Sequence, residues 1–171
     1  VSISNVTTND KNTVISSSLS TLPVIINKAA YCNLKSGIPS NSQLISNRAG
    51  WIINVEEGVE GAPNNLIDGK TGTDVALNNK GFWFTVDLGE AKVLTGIKTN
   101  HWANAYAPRE VEILQSENGT TWKSLSSLAI SGGTQNITFI SPITTRYLKY
   151  QIITISTNGR TDVTEFNVYE P

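Results

Sequence analysis

The chain has 171 residues, enough for one sizeable core, and sets 13 Lys and Arg against 14 Asp and Glu for a formal net charge of −1. Only 16% of the residues are charged and neither sign forms a long run. The basic footprint that nucleic acid or an anionic lipid surface requires is missing, so neither is expected as a partner.

No apolar stretch approaches the roughly 20 residues of a membrane span, so no membrane insertion is expected. Abundant Ser, Thr and Asn with few charges suit a secreted or surface-displayed β protein. The chain starts on Val and holds no Met, which reads as a piece of a longer product with any signal peptide upstream. Cys32 is the sole cysteine, so an internal disulfide is not expected.

Residues 1–45 read as an N-terminal β extension. Val1 to Val6 and Val14 to Asn27 have strand character, and the polar TTNDKN between them is turn-rich, so a hairpin is predicted. An isolated hairpin is marginal in water. The segment therefore either packs on the main domain or forms the tail of a preceding small β-sandwich domain. Lys35 to Asn47, with Gly37 and Pro39 as punctuation, reads as linker or surface loop.

From Trp51 onward eight short strands are predicted, at about 51–55, 82–88, 92–99, 109–116, 121–127, 135–140, 146–153 and 163–169, the spacing of an all-β sandwich. The central stretch is Gly81 to Asn100, where Phe84, Val86 and Leu88 alternate with Trp83, Thr85 and Asp87. Gly89 breaks this pattern, and Val93 and Ile97 restart it. Asn118-Gly119 in SENGTTW marks a hairpin turn with both central residues at positive φ. Trp51, Trp83 and Trp122, on or beside predicted strands, are assigned to the core.

Four segments in order, NLIDGKTGT, FWFTVDLG, SENGTTW and TTRYLKY, resemble the motifs of discoidin-like domains, also called coagulation factor V/VIII (F5/8) type C domains. The family 32 carbohydrate-binding modules of bacterial surface proteins share that fold. The resemblance implies an antiparallel jelly-roll β-sandwich of the galactose-binding-like type over residues 46–171. It also implies a non-catalytic module that recognises a mono- or oligosaccharide through loops at one end of the sandwich. Such a module would belong to a larger secreted or cell-surface glycan-utilisation protein of a bacterium, with another domain of that protein as a further partner.

Two loops are candidate sites. In NLIDGKTGT, a carboxylate followed by Gly and small residues lets backbone carbonyls curl around a hard cation. The resemblance assigns structural calcium to Asp68, the carbonyls near Lys70 and Thr71, Thr73, Glu165 and the carbonyl of Thr164. Turn chemistry alone would make Asp68 a turn cap and Glu165 a solvated strand residue. The second loop, Asn100 to Arg109, gathers Trp102, Tyr106, the sole His, Asn104 and Arg109. A sugar offers an apolar C–H face and a ring of hydroxyls, which an aromatic platform and planar hydrogen-bonding groups complement. His101 and Arg109 are the expected hydrogen-bonding groups, Trp102 or Tyr106 the stacking surface and Asn104 an accessory, with Asn158 and Arg160 completing the rim. The competing expectation buries Trp102 in the core and pairs Arg109 with Glu110 or Glu112.

No catalytic set is expected. A glycosidase needs two carboxylates facing across about 5 to 9.5 Å, which sequence does not reveal. A serine hydrolase of the elbow type needs a Gly-x-Ser-x-Gly that is absent. One Cys and one His do not make a usual zinc set. The alternative function is a protein-interaction or cell-adhesion module that uses the same loops.

Overall fold

The computed structural model describes residues 32–35 and 37–171. The hairpin expected within residues 1–27 lies outside the described residues. The strands are β1 Cys32–Lys35, β2 Gln43–Leu44, β3 Ile52–Val55, β4 Val75–Asn78, β5 Trp83–Asn100, β6 Glu110–Ser116, β7 Lys123–Ala129, β8 Thr134–Thr154, β9 Arg160–Val163 and β10 Glu165–Glu170. A single 3-10 turn, Pro63–Leu66, is the only helical element among them.

Gly81 to Asn100 does form strand, but Gly89 does not end it. Gly89 adopts φ +82°, and β5 runs on through a bulge between Asp87 and Lys92 and a second irregularity between Leu94 and Gly96. A bulge absorbs extra residues while pairing resumes beyond it, so two predicted strands become one bent strand. The same holds for the strands predicted at 135–140 and 146–153, which join as β8.

The bends let β5 and β8 serve both layers of the sandwich. Trp83 to Asp87 pair with Gln151 to Tyr147 and carry β3 on their other edge, while β6 and β7 continue beyond β8. Past the bulges, Gly96 to Asn100 pair with Thr138 to Thr134, with β10 and β2 beyond β5 and with β1 against β8. Cys32–Lys35 and Gln43–Leu44 thus hydrogen-bond into the sandwich. This corrects the expectation that Lys35 to Asn47 is all linker or surface loop.

Phe84, Val86, Leu94, Ile97, Ile113, Leu148, Tyr150, Phe166 and Val168 face the core and are essentially fully buried. Phe84 stacks on Tyr150 at 5.2 Å and meets the edge of Phe166 on β10 at 5.1 Å, joining the layers. Trp51 is buried as expected. Trp83 and Trp122 are only partly buried, and Lys149 Nζ lies 4.9 Å from the Trp83 ring centroid. Both therefore depart from the core assignment.

The β6–β7 turn also differs from expectation. Gly119 is left-handed at φ +73°, but Asn118 is not among the positive-φ residues. Its side chain organises the turn instead: Oδ1 accepts the N–H groups of Thr120 (3.0 Å) and Thr121 (2.9 Å).

β4 and β9, neither of them predicted, form a separate two-stranded antiparallel sheet from Val75↔Val163 to Asn78↔Arg160. Val75, Ala76 and Val163 are completely buried. Gly61 lets the preceding loop approach, since a Cβ there would lie 2.1 Å from the Asp74 carbonyl oxygen. Phe84→Ala should lower the unfolding free energy by about 3–5 kcal/mol, read by urea denaturation, because the cavity opens where the layers meet.

Candidate functional site

The loop between β5 and β6 follows Asn100, the last residue of β5, and is tied down at several points. His101 N–H donates to Gly133 O (2.8 Å), Asp162 N–H to Tyr106 O (3.2 Å) and Arg109 N–H to Thr154 O (2.9 Å). These bonds fix the loop against β9 and the β8 terminus. Trp102, Tyr106, Asp74 immediately before β4 and Arg160 from β9 then surround an open cleft of about 310 Å³.

The predicted residues fall into three groups. Trp102, Tyr106 and Arg160 line the cleft. Trp102 is 56% exposed, which removes the expectation that it packs inward. Asn104, Arg109 and Asn158 brace the loops. Arg109 donates to Asn104 Oδ1 (3.3 Å), Asn104 O (3.2 Å) and Thr157 Oγ1 (3.2 Å), and Asn104 Oδ1 accepts the Gly132 N–H at 2.7 Å. Asn158 Oδ1 accepts from Ser156 Oγ (2.9 Å) and Arg160 N–H (3.0 Å), closing its turn.

His101 forms the third group and requires a correction. Its side chain is fully buried, with Nδ1 2.6 Å from the Asp162 carbonyl oxygen and Nε2 3.3 Å from Thr99 Oγ1. A carbonyl only accepts, so Nδ1 carries the proton; burial keeps the imidazole neutral, which leaves Nε2 to accept from the Thr99 hydroxyl. Both ring nitrogens are thus engaged beneath the loop, and the imidazole is a brace instead of a ligand-facing group. Burial pushes its pKa down to about 4, against the pull of the Asp162 carbonyl.

Asp74 and Asp162 were not anticipated, because the strands that carry them were not. Asp74 Oδ2 lies 2.8 Å from Arg160 Nη1, Asp162 Oδ2 is 3.6 Å from the same nitrogen, and Glu60 Oε2 is 3.7 Å from Nη2. Asp162 is completely buried; Oδ1 accepts the Trp102 N–H (3.1 Å), whereas Oδ2 has no hydrogen-bond partner. Burial outweighs that hydrogen bond and raises its carboxyl to about 6, with Asp74 adding to the rise and Arg160 opposing it.

The loop expected from the sequence to hold calcium is organised mainly from within. Asp68 Oδ1 accepts the Lys70 N–H (2.8 Å) and Oδ2 accepts Thr73 Oγ1–H (2.8 Å). Glu165 is not the solvated residue that turn chemistry suggests. Oε1 pairs with Arg48 Nη1 at 2.6 Å, Oε2 accepts the Gly69 N–H at 3.1 Å, and the residue is buried. Arg48, missed in the sequence, also donates to Ile67 O (2.8 Å) and Asn167 Oδ1 (2.5 Å). Burial holds the Glu165 carboxyl above its ordinary range despite Arg48. Asp68 and Thr73 lie on an exposed loop and offer oxygens of the kind a hard cation takes, although a cation there would displace the Lys70 N–H and the Thr73 hydroxyl proton from Asp68. Glu165 fits less well: it is buried with its oxygens on the Arg48 guanidinium and the Gly69 N–H, and Thr164 is fully buried.

A second depression, of about 320 Å³, lies beside the β6–β7 turn and is lined by Gln115, Ser116, Glu117, Asn118, Thr121 and Lys123. It offers polar groups and no aromatic ring. The cleft at Trp102 has both.

A β-sandwich with an aromatic cleft built from its loops is the class this architecture defines. Residues 46–166 match the model of the F5/8 type C domain, and the chain belongs to that family. Among curated protein sequences, none is a match for the chain. Solved structures with the same fold include an F5/8 type C domain from Bacteroides fragilis (TM-score 0.65, 19% identity, 77% of this chain and 98% of that one). A family 32 module of Clostridium perfringens NanJ, in complex with galactose, aligns with TM-score 0.62 and 22% identity over 75% of this chain and 99% of that one. A family 32 module of C. perfringens GH89, in complex with GalNAc-β-1,3-galactose, gives 0.63 and 18% over 74% and 99%.

The buried pair makes a pH prediction. His101, with its pKa lowered from 6.5 to about 4, leaves the folded state with fewer bound protons than the unfolded state in that window, so its contribution to stability falls as pH drops from 6.5 to 4. Asp162, raised from 3.8 to about 6, does the opposite: its contribution falls as pH rises from 4 to 6. The two largely cancel in the native protein. In Asp162→Asn the opposition is gone, and the stability of the variant relative to native should fall by roughly 1 kcal/mol per pH unit between pH 6 and 4, measured by urea unfolding.

Proposed function

We propose that this domain is a non-catalytic carbohydrate-binding module that holds a mono- or oligosaccharide in the cleft between Asp74, Trp102, Tyr106 and Arg160. The observation that carries it is Trp102, a large apolar ring 56% exposed beside charged hydrogen-bonding groups. An exposed indole suits the C–H face of a sugar ring, and the guanidinium and carboxylate suit its hydroxyls. Support comes from the galactose and GalNAc-β-1,3-galactose bound by the two C. perfringens modules of this fold. The affinity of a single site is weak, because an open cleft buries little of its ligand.

In this account the module sits in a larger secreted or surface protein of a bacterium and keeps a neighbouring domain near glycan by raising effective concentration. It has no catalytic role: Asp162 is buried beneath Trp102, and Asp74 is committed to Arg160. The competing function is adhesion to another protein through the same exposed indole.

Calcium, as a structural ion, would be held by Asp68, Thr73 and the carbonyls of Lys70 and Thr71, with the Thr164 carbonyl and Glu165 as outer partners. Bound there, it would stiffen the loop as a hard cation. Its contribution is smaller than that of Arg48, which already supplies positive charge to Glu165 and a donor to Ile67 O.

Binding of the native chain to an immobilised glycan panel, with calcium present, should be saturable and share one terminal sugar. Trp102→Ala and Arg160→Ala should each weaken it at least tenfold while the circular dichroism spectrum is retained. A folded protein silent across the panel would favour the protein-interaction function. In thermal melts, chelator or Asp68→Ala should lower the melting temperature by a few degrees. Arg48→Ala should cost more, about 3 kcal/mol, because it leaves Glu165 buried and unpaired. A larger loss from chelator than from Arg48→Ala would reverse that order.

A further inference from the structure

The cleft has an electrostatic imbalance that sets which sugars it takes. Among the described residues Arg160 is the one cation lining it, and Glu60, Asp74 and Asp162 stand within 3.7, 2.8 and 3.6 Å of its guanidinium nitrogens. Three carboxylates therefore share one guanidinium. His101, the other basic group against Asp162, is 3.8 Å from Oδ1 and kept neutral by the complete burial of its side chain.

The guanidinium does not satisfy all its neighbours. Asp74 Oδ2 holds Arg160 Nη1 at 2.8 Å, which leaves Asp162 Oδ2, 3.6 Å from the same nitrogen, buried without a hydrogen-bond partner among the described residues. Asp162 is completely buried, and Glu60 is partly held by Asn78 Nδ2 at 3.1 Å. Low local dielectric strengthens the field of such groups on anything that enters the cleft. An arriving carboxylate or sulfate meets net negative charge and must compete with Asp74 and Asp162 for Arg160. A neutral polyol brings donors without adding charge. A protonated amine supplies the cation that the cluster lacks.

We infer that the cleft selects its ligand by charge, accepting neutral and amine-bearing hexoses and rejecting uronic, sialic and sulfated sugars, with Asp74 as the specificity-determining residue. This rests on the sugar-site function proposed above. Asp74 is the carboxylate that both lines the cleft and touches Arg160. Charge selection of this kind works chiefly by penalising the wrong ligand, so it is read as a difference of affinities.

The test is calorimetric titration of the native chain at pH 7.5 and low salt with matched trios: D-galactose, D-galactosamine and D-galacturonic acid, and the corresponding D-gluco compounds. Within whichever trio binds, the uronate should be at least tenfold weaker than the parent hexose and the amino sugar no weaker than it. The spread should shrink at about 1 M NaCl, where the Debye length is about 3 Å. It should also shrink in Asp74→Asn, which keeps the size of the side chain and removes its charge. A uronate that binds as tightly as the parent, or a spread unchanged in Asp74→Asn, would overturn charge selection and leave the sugar site standing. If a folded protein binds neither trio, charge selection among these hexoses is overturned, and the glycan panel decides the sugar site separately.

Discussion

Asp87 and Arg146 make the contact on which the sandwich turns. The guanidinium grips the carboxylate through two bonds, Nε to Oδ1 at 2.8 Å and Nη2 to Oδ2 at 2.9 Å, while Oδ1 also accepts the Gly89 N–H at 2.8 Å. That places a bidentate clamp where β5 and β8 leave one layer for the other, at the bulge after Asp87. Arg146 holds the Asp87 carboxyl below its ordinary range. Two of the recurring sequence motifs, FWFTVDLG and TTRYLKY, thus meet at one ion pair. Once the bend is pinned, Phe84, Tyr150 and Phe166 can close on one another across the layers.

The functional end depends on a different kind of restraint. β5 delivers the chain to Asn100, whose carbonyl accepts the Thr164 N–H at 2.8 Å, and His101 then anchors to the Asp162 carbonyl from below. With the imidazole neutral and satisfied, the loop above it is held without placing a second buried charge beside Asp162. Trp102, freed from the core, turns its ring outward. The exposed aromatic is thus a consequence of what His101 buries, and Arg109 with Asn104 keeps the far side of the loop in place.

The strand pieces of β5, β6 and β8 were legible from their alternation, although β5 and β8 were each expected as two strands. The β4–β9 sheet was not: DVALN and RTDV are too short for a period, and their pairing joins residues more than 80 positions apart, from Val75↔Val163 to Asn78↔Arg160. That blind spot hid Asp74 and Asp162, although Arg160 was found from its polar turn. Clustering of aromatic and polar residues located the loop of Trp102 and Tyr106, but not the inward turn of His101, which depends on a carbonyl 61 positions away. Arg48 was equally invisible, since its partner Glu165 lies 117 positions along the chain. Non-local pairing is common to these misses, whereas what the sequence did reveal rested on local pattern.

The central claim is that a sugar ring lies on Trp102, and the most direct measurement is an NMR titration of the isotope-labelled chain with galactose, following the four indole N–H resonances. The account predicts that the Trp102 indole shifts in a saturable manner together with backbone amides of Tyr106 and Arg160, while Trp51, Trp83 and Trp122 stay in place. Saturable shifts confined to the depression beside Asn118, with Trp102 unmoved, would contradict it.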